Sequence, residues 1–343
     1  MSEPRRSPRL VALLNPRHRI SEAGIRDALG GIPDGVELRT FTDAPPDGLL
    51  PELDGLISNG WLPEPARTPR LRWVQTLNAG HEDLPDALVC SPDVEVCHGS
   101  GPAAVPIAEW TLGAMLFFGH RFRRILAHEQ GRTWHRDRAA EMSASVLHGR
   151  TVGILGYGAI GRQVGRLCRM LGMRVVATLG RGGRRQQLTY RTPGTGDPEG
   201  ELPDRWIGWD ELHGALGDLD FIVLALRLDG QTERLIDDAF LRRCKPQAVL
   251  VNMARGGLVD QGALAAALAA GRIGGAALDV FQTEPLPADD PLRDAPNLLL
   301  SPHCSPESPF FQDEIANMVA ENVRRFGAGE PLLNVIRPRA RPT

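Results

Sequence analysis

The segment VGILGYGAIG, residues 152–161, constrains the fold of this 343-residue chain more than any other. An apolar run typical of a buried strand leads into three glycines, and the helix-forming sequence GRQVGRLCRMLG follows. Glycines at this spacing allow a tight turn, close approach of a phosphate to the backbone, and close packing of helix on strand. The helix N-terminus also offers free N–H groups to phosphates. The segment therefore predicts a dinucleotide site at Gly156, Gly158, Ala159, Ile160 and Gly161.

Composition limits the class of protein. The hydrophobic fraction of 42% is typical of a globular chain, and the length suffices for two domains. The formal net charge of -3 gives no reason to expect a nucleic acid or a membrane surface as a partner, and no apolar run reaches membrane-spanning length. Five cysteines without a CxxC pair argue against a disulfide framework or a metal site. They fit a reducing cytoplasm.

Apolar runs alternate with helical segments along the chain, which predicts parallel sheets covered by helices on both faces. The first hundred residues contain five candidate strands: RLVALL, VELRTF, LDGLIS, LRWVQTL and VEVCHG. SEAGIRDALG is a candidate helix, with Ser21 as its N-cap and Gly30 beyond its end. Residues 104–128 have the pattern of one long apolar helix, and residues 180–203 that of a polar loop.

The strand pattern repeats after the glycine segment in MRVVATL, DFIVLAL, AVLVNM, GAALDVF and NLLLSPH. A last amphipathic helix, SPFFQDEIANMVAENVRRFGAG, is expected to return to the first domain and to make that domain discontinuous. The predicted fold is therefore α/β, with two doubly wound parallel-sheet domains. We expect one domain to comprise residues 1–102 and 304–343, and the dinucleotide-binding domain to comprise residues 103–303.

Three polar residues each follow a candidate strand: Arg255 in VNMARGGLVD, Glu284 in LDVFQTEPLP and His303 in NLLLSPHCS. Because ligands bind beyond the carboxyl ends of parallel strands, the three should face one crevice. Arg255 could fork onto the carboxylate and carbonyl oxygens of a 2-oxo acid. His303 could donate a proton to the carbonyl oxygen during hydride transfer, and Glu284 could stabilise its charged form. Singly each is more often a surface or loop residue, but the combination predicts a catalytic site.

Together these segments resemble the D-isomer-specific 2-hydroxyacid dehydrogenase family, in particular its glyoxylate and hydroxypyruvate reductases. The resemblance extends from about Leu53 to the end of the chain, and it rests on GYGAIG, NMARGGLVD, GRIGGAALDVFQTEPL and NLLLSPH in the family's order and spacing. It implies a Rossmann cofactor domain inserted in a flavodoxin-like substrate domain. It also implies a catalytic triad of Arg255, Glu284 and His303, and a homodimer built around the cofactor domains.

Further site residues follow from the same resemblance. TLNAGHEDL matches the family's substrate loop, in which Asn78 would border the substrate and the N–H groups of Ala79 and Gly80 would bind its carboxylate. Asp279 matches the aspartate near the nicotinamide carboxamide, and Ala254 would also contact the cofactor. Two interpretations of Trp134 stay open, because it could line the substrate pocket of a partner subunit or pack at the dimer interface.

The end of the second strand, in RVVATLGRGGRR, bears on the choice of nicotinamide cofactor. Enzymes that use NAD normally have an acidic residue there, which binds the ribose 2′-hydroxyl. Leu179 and Gly180 take its place, and Arg181 and Arg184 follow. Arginines in place of a carboxylate suit a 2′-phosphate. The pattern favours NADP and leaves NAD possible.

The predicted function is hydride transfer between NAD(P)H and a small 2-oxo or D-2-hydroxy acid, by a cytoplasmic reductase of the glyoxylate/hydroxypyruvate type. A protein of another class is the alternative: a dinucleotide-sensing corepressor or scaffold on the same fold. The triad does not exclude that alternative, because such relatives can retain it. Turnover of NADPH with glyoxylate distinguishes the two.

Overall fold

The computed structural model describes residues 9–14, 20–58, 60–80, 84–89, 91–134, 136–180 and 190–336. The chain divides into two compact units. Unit 1 comprises Met1–Ala103, Thr189–Thr192 and Ser308–Thr343, and unit 2 comprises Ala104–Leu188 and Pro193–Glu307. In the described part of both units, no helix combines the length and the apolar character that crossing a membrane requires.

Unit 1 is built on one sheet. Its strands are β1 (Arg9–Leu14), β2 (Val36–Phe41), β3 (Leu53–Ile57), β4 (Trp73–Gln75) and β5 (Glu95–Cys97). They pair in parallel in the order β2-β1-β3-β4-β5. This is the strand order of flavodoxin-like folds, so the predicted fold of this part is confirmed. All five candidate strands are present, and β4 and β5 are shorter than their apolar runs.

The helices of unit 1 are α1 (Glu22–Leu29), α2 (Asp86–Val89) and α10 (Pro309–Ala328). α1 has its predicted ends, because Ser21 Oγ accepts a hydrogen bond from Gly24 N at 2.9 Å and Gly30 is left-handed, with φ 66°. α10 packs against α1 and against the sheet, where the rings of Phe326 and Trp73 lie 5.1 Å apart. The C-terminal helix is thus part of the unit that holds the N-terminal strands.

Unit 2 is built on a larger sheet. Its strands are β6 (Thr151–Leu155), β7 (Arg174–Thr178), β8 (Arg205–Ile207), β9 (Phe221–Leu224), β10 (Val249–Asn252), β11 (Gly275–Leu278) and β12 (Leu298–Leu300). All pair in parallel, in the order β12-β11-β10-β9-β6-β7-β8. The order reverses between β6 and β9, so the glycine segment after β6 lies at the switch point where Rossmann folds bind ligands.

The helices of unit 2 are α3 (Ala104–Gly119), α4 (Phe122–Gln130), α5 (Arg138–Met142), α6 (Ala159–Met170), α7 (Leu212–Ala215), α8 (Asp238–Leu241) and α9 (Gln261–Ala269). The prediction of a single helix over residues 104–128 is wrong. Arg121 is left-handed, with φ 56°, and an α-helix cannot continue through that conformation. The chain therefore forms α3 and α4 in succession.

Residues 193–204 contain turns but no helix or strand, and they are fastened to the glycine segment. Asp197, which is 4% exposed, accepts hydrogen bonds from Tyr157 Oη and from the N–H groups of Glu201 and Leu202, each at 3.0 Å. Tyr157 stands between the first two glycines of the segment. The later part of the predicted polar loop is therefore held against the turn that follows β6.

Candidate active site

The turn after β6 depends on glycine. Gly156 has φ 93°, and a Cβ at this position would lie 2.4 Å from the carbonyl oxygen of Ala225. A Cβ on Gly161 would lie 2.2 Å from the carbonyl oxygen of Gly156. Thr178 Oγ1, at the end of β7, accepts a hydrogen bond from Gly156 N at 2.9 Å. Only glycines allow the strand and α6 to approach so closely.

The start of α6 fits the phosphates of a dinucleotide. α6 begins after Gly158, none of the described side chains caps it, and its first turn carries no acidic residue. The first N–H groups of a helix, here at Ala159 and Ile160, have no acceptor within the helix. They and the positive end of the helix dipole suit a pyrophosphate.

The end of β7 presents no carboxylate. Thr178 is buried, and Leu179 N donates to the carbonyl oxygen of Ile207 at 2.9 Å, which ties this end to β8. Gly180 follows and is half-buried. Arg181 and Arg184, the predicted partners of a 2′-phosphate, lie outside the described residues.

Arg255 follows β10 in a turn fixed by the buried side chain of Asn252. Asn252 Nδ2 donates to the carbonyl oxygen of Arg255 at 2.9 Å, and its Oδ1 accepts from Ala254 N at 3.1 Å. A Cβ on Gly256 would lie 1.9 Å from the carbonyl carbon of Phe281. The turn after β10 therefore lies directly against the segment that follows β11.

The side chains of Glu284 and His303 are in contact beyond β11 and β12. His303 Nδ1 lies 2.7 Å from Glu284 Oε2, and the side chains are 49% and 34% exposed, respectively. The other carboxylate oxygen, Oε1, accepts a hydrogen bond from Phe281 N at 2.9 Å. Because one oxygen is held by the backbone and the other faces the ring, Glu284 orients the imidazole of His303.

Asp279 stabilises the loop that carries His303. It is fully buried at the end of β11. Its Oδ1 accepts hydrogen bonds from Ser301 Oγ at 2.5 Å and Cys304 N at 2.9 Å, and its Oδ2 accepts one from Ser305 N at 2.9 Å. Asp279 thus binds one side chain, that of Ser301, and the backbone N–H groups of Cys304 and Ser305, a role that its motif alone does not reveal.

One cavity of about 650 Å³ in unit 2 brings Arg255, Glu284 and His303 together. It is also lined by Leu228, Glu233, Arg234, Gly256, Gly257, Val280, Phe281 and Gln282. Glu233 and Arg234 are cavity residues that the motifs do not identify. They lie well beyond the end of β9, after Arg227 and Asp229, so the rule that placed the other polar residues at strand ends does not select them.

Asn78, Ala79 and Gly80 belong to unit 1, and they are described within that unit. They follow β4, and the carbonyl oxygen of Asn78 accepts a hydrogen bond from Gly99 N at 2.7 Å. Asn78 and Ala79 are exposed, and Gly80 is half-buried. The loop is therefore tied to the end of β5 and remains accessible.

Known proteins share this architecture. A family model, the NAD binding domain of the D-isomer specific 2-hydroxyacid dehydrogenases, matches residues 112–305, more than half of the chain. The chain belongs to this family. It is therefore an NAD(P)-dependent 2-hydroxyacid dehydrogenase, an oxidoreductase with a Rossmann domain.

Curated relatives of the dehydrogenase include reductases of small 2-oxo acids. It is 32% identical over 272 residues to a glyoxylate reductase of Korarchaeum cryptofilum, a match that covers 78% of this chain and 76% of the relative. It is 29% identical over 293 residues to glyoxylate/hydroxypyruvate reductase B of Pectobacterium carotovorum, which covers 84% of this chain and 87% of the relative.

Solved structures resemble the dehydrogenase over nearly its whole length. A D-isomer specific 2-hydroxyacid dehydrogenase family protein of Aeromonas salmonicida has a TM-score of 0.74 and 28% identity, with 96% of this chain and 99% of that chain covered. A family member from Xanthobacter autotrophicus, in complex with NADPH and MES, has a TM-score of 0.71 and 28% identity, with 97% and 99% covered. The similar proteins are described as reductases and dehydrogenases, which favours an enzyme over a corepressor or scaffold.

Proposed function

We propose that the dehydrogenase reduces a small 2-oxo acid of the glyoxylate or hydroxypyruvate type, with Arg255, Glu284 and His303 as its catalytic residues. The observation that carries this proposal is the cavity that these residues line together, with His303 Nδ1 2.7 Å from Glu284 Oε2. The names of the curated relatives support the substrate class.

The cofactor fits the glycine turn, and when bound it supplies the hydride. We propose that the turn and the surrounding strand ends hold it through Gly156, Gly158, Ala159, Ile160, Gly161, Gly180, Arg181, Arg184, Ala254 and Asp279. NADPH is the preferred form, because a 2′-phosphate would meet no carboxylate at Leu179 or Gly180 and would meet arginines directly after them. NAD remains the second choice.

Each triad residue has a proposed task. The guanidinium of Arg255 binds the carboxylate and carbonyl oxygens of the 2-oxo acid, for which its planar fork is suited. Since Nδ1 of His303 faces Glu284, Nε2 is the nitrogen that donates a proton to the carbonyl oxygen as hydride arrives at the carbon. Glu284 keeps the ring oriented through its contact with Nδ1. In the oxidation of a 2-hydroxy acid, the same nitrogen accepts the proton.

A carboxylate has about four acceptor sites, so it can accept further hydrogen bonds beside those of Arg255. We propose that the backbone N–H groups of Ala79 and Gly80 bind it, with Asn78 beside them. The exposure of Asn78 and Ala79 after β4 supports this role, and so does the strand order of unit 1, because flavodoxin-like sheets bind ligands beyond the carboxyl ends of their strands.

A homodimer is the proposed assembly. Five of the eight large apolar side chains that are exposed in the described residues lie in one stretch of unit 2, namely Phe122, Ile125, Leu126, Trp134 and Val146, whereas Met170, Leu171 and Phe310 lie elsewhere. Such a concentration is typical of an interface between protein chains. Trp134, which is 83% exposed, fits either of its two interpretations, as an interface residue or as a contributor to the partner's pocket. Cys97, Cys168, Cys244 and Cys304 are free thiols, which supports a cytoplasmic location.

Oxidation of NADPH, followed at 340 nm with glyoxylate, hydroxypyruvate and a panel of larger 2-oxo acids, tests the proposal. We expect turnover with at least one of them and loss of turnover in His303→Ala. Tight dinucleotide binding without turnover of any 2-oxo acid would contradict the proposal and favour the sensor alternative.

A further inference from the structure

A second arginine, Arg234, lines the cavity that contains Arg255, Glu284 and His303. It lies in the segment that follows β9, whereas Arg255 follows the neighbouring strand β10. One guanidinium suffices for the carboxylate and carbonyl of a simple 2-oxo acid. The task assigned to Arg255 therefore leaves the second guanidinium without a role in the reaction.

The backbone at Arg234 is held in an unusual conformation. Its φ is 50°, in the left-handed region that long side chains rarely adopt. A hydrogen bond from Arg234 N to the carbonyl oxygen of Gly257, at 2.8 Å, maintains this conformation. A second one, from Ile236 N to the carbonyl oxygen of Leu258 at 3.0 Å, holds the next part of the segment. These bonds fasten Arg234 to the turn that begins with Arg255. Residues held in disfavoured conformations are concentrated at functional sites, and His303, with φ 52°, is another in this cavity.

An acidic neighbour positions the guanidinium of Arg234. Arg234 Nη2 contacts Asp260 Oδ2, and Asp260 itself is fixed because its Oδ1 accepts a hydrogen bond from Ala263 N at 3.0 Å, at the start of α9. A guanidinium has five N–H donors. In the described contacts Asp260 engages only Nη2, so Arg234 keeps donors for an anion while its side chain is held at the cavity.

The cavity has two guanidinium groups, those of Arg234 and Arg255, and each can engage one acidic group of an anion. Arg234, Arg255 and, when protonated, His303 are the cationic residues of the cavity, and Glu233 and Glu284 are its anionic residues. Asp260, which does not line the cavity, also pairs with Arg234. Glu284 is engaged by His303 and by Phe281 N. Glu233 and Arg234 are both exposed, so water partly screens the charge of each.

We propose that Arg234 binds a second anionic group of the substrate, so that the dehydrogenase prefers 2-oxo acids with an additional carboxylate or comparable acidic group. The inference rests on the proposed reduction of a 2-oxo acid at Arg255 and His303, and it specifies the substrate class. Leu228 and Phe281, which line the same cavity, provide apolar surface for the carbons between the two anionic groups. Two arginines on neighbouring segments can bind two carboxylates of one molecule.

Matched substrates test this role, because they differ only in the second carboxylate. We compare 2-oxoglutarate with 2-oxopentanoate and oxaloacetate with 2-oxobutyrate, in each case with NADPH. The wild-type protein should have the higher kcat/KM for the diacid in at least one pair. Arg234→Gln should lower kcat/KM for that diacid about tenfold or more, mostly through KM, and should change the value for the matched monoacid less than about twofold.

Arg242→Gln is the matched control. Arg242 has a comparably exposed side chain, 65% against 61% for Arg234, and it also forms an ion pair, with Asp238 at 2.7 Å. It does not line the cavity. Its substitution should leave both members of each pair unchanged. In the opposite direction, Glu233→Gln should lower KM for the diacid by a smaller factor, because the like charge that it removes is only partly screened by water.

A binding measurement separates this inference from the proposed reaction. Calorimetry of the NADP⁺-loaded protein with 2-oxoglutarate and 2-oxopentanoate needs no turnover. Selective loss of diacid binding in Arg234→Gln supports the inference even if no 2-oxo acid is reduced. The absence of reduction would overturn only the proposed function. The inference is overturned if the wild-type protein does not favour the diacid in either pair, or if Arg234→Gln weakens diacid and monoacid equally.

Discussion

Asp279 fixes the backbone of the loop in which His303 lies. Its two carboxylate oxygens accept hydrogen bonds from Cys304 N and Ser305 N, both at 2.9 Å, directly after the histidine. Asp279 directly follows β11, whereas His303 lies beyond the edge strand β12. The loop after the edge strand β12 is thus bound to Asp279, which follows the neighbouring strand β11. The position of the His303 imidazole therefore depends on Asp279 as well as on Glu284.

Asp279→Asn should therefore impair catalysis through the position of His303. Asparagine replaces one acceptor oxygen with an NH₂ group, which cannot accept from the N–H donors of the loop. We expect kcat to fall about tenfold to a hundredfold, and the free energy of unfolding to fall by about 1–3 kcal/mol, because a buried donor loses its acceptor. Steady-state kinetics and urea unfolding measure both. Ser301→Ala is the control, since it removes one donor and keeps the carboxylate; a wild-type kcat in Asp279→Asn would contradict the positioning role.

His303→Ala should lower kcat about a hundredfold or more, which is the usual size of a general acid–base contribution. Glu284→Gln should have a smaller effect, because glutamine can satisfy either Phe281 N or the imidazole N–H with its single oxygen, but not both. Dissociation constants for NADPH, from its fluorescence, should change little in both variants. His213→Ala, on α7 and outside the cavity, serves as the control. Equal activity in His303→Ala and the wild-type protein would remove His303 from the mechanism.

Arg255→Lys should reduce kcat/KM strongly, because an ammonium group cannot reproduce the bidentate fork of a guanidinium. The methyl ester of a 2-oxo acid that the protein reduces should be a poor substrate, since it lacks the charge that pairs with Arg255. Comparing the acid with its ester in the wild-type protein measures the contribution of that charge. Similar efficiencies for the two compounds would mean that Arg255 has another task.

Cofactor preference should depend on the residues after β7. Arg181→Ala should raise the dissociation constant of NADPH about tenfold or more and leave that of NADH nearly unchanged, because a charge-assisted contact contributes about 1.5–3 kcal/mol. Leu179→Asp introduces the carboxylate that NAD enzymes carry at this point, and it should shift preference toward NADH. Equal losses of both cofactors in Arg181→Ala would contradict a 2′-phosphate contact.

The fold could be predicted from the sequence where local patterns are strong. Buried parallel strands are nearly continuous apolar runs, so β1, β2 and β6 have the bounds or nearly the bounds that their sequences indicate. β8 could not be found in this way, because its three residues, RWI, are too short and too polar for a pattern. The break between α3 and α4 was also hidden. It depends on one left-handed residue, Arg121, in an otherwise helical sequence.

The candidate site could be predicted only in part. Strand-end motifs indicated Arg255, Glu284 and His303, since sheet topology brings the ends of neighbouring strands to one edge. The roles of Arg234 and of Tyr157 depend on contacts between segments distant in sequence. Arg234 N bonds Gly257, and Tyr157 Oη bonds Asp197 forty residues away. No local pattern reports such contacts.

The stability of unit 1 should depend on pH through Glu321 on α10. Its carboxylate lies 2.9 Å from Arg324 Nε and 2.6 Å from Arg325 Nε. The hydrogen bond from Arg324, with that from Arg325, lowers the pKa of Glu321 from 4.5 to about 2, although burial acts in the opposite direction. Because the folded-state pKa is depressed, the stabilisation is complete above pH 4.5 and is lost as pH falls toward 2.

Glu321→Gln should cost about 1 kcal/mol at pH 7, a value reduced by solvent screening, and the difference from the wild-type protein should disappear between pH 4.5 and 2. Urea unfolding of both proteins across this range measures the effect, and a difference that stays constant with pH would show that the ion pairs do not cause it.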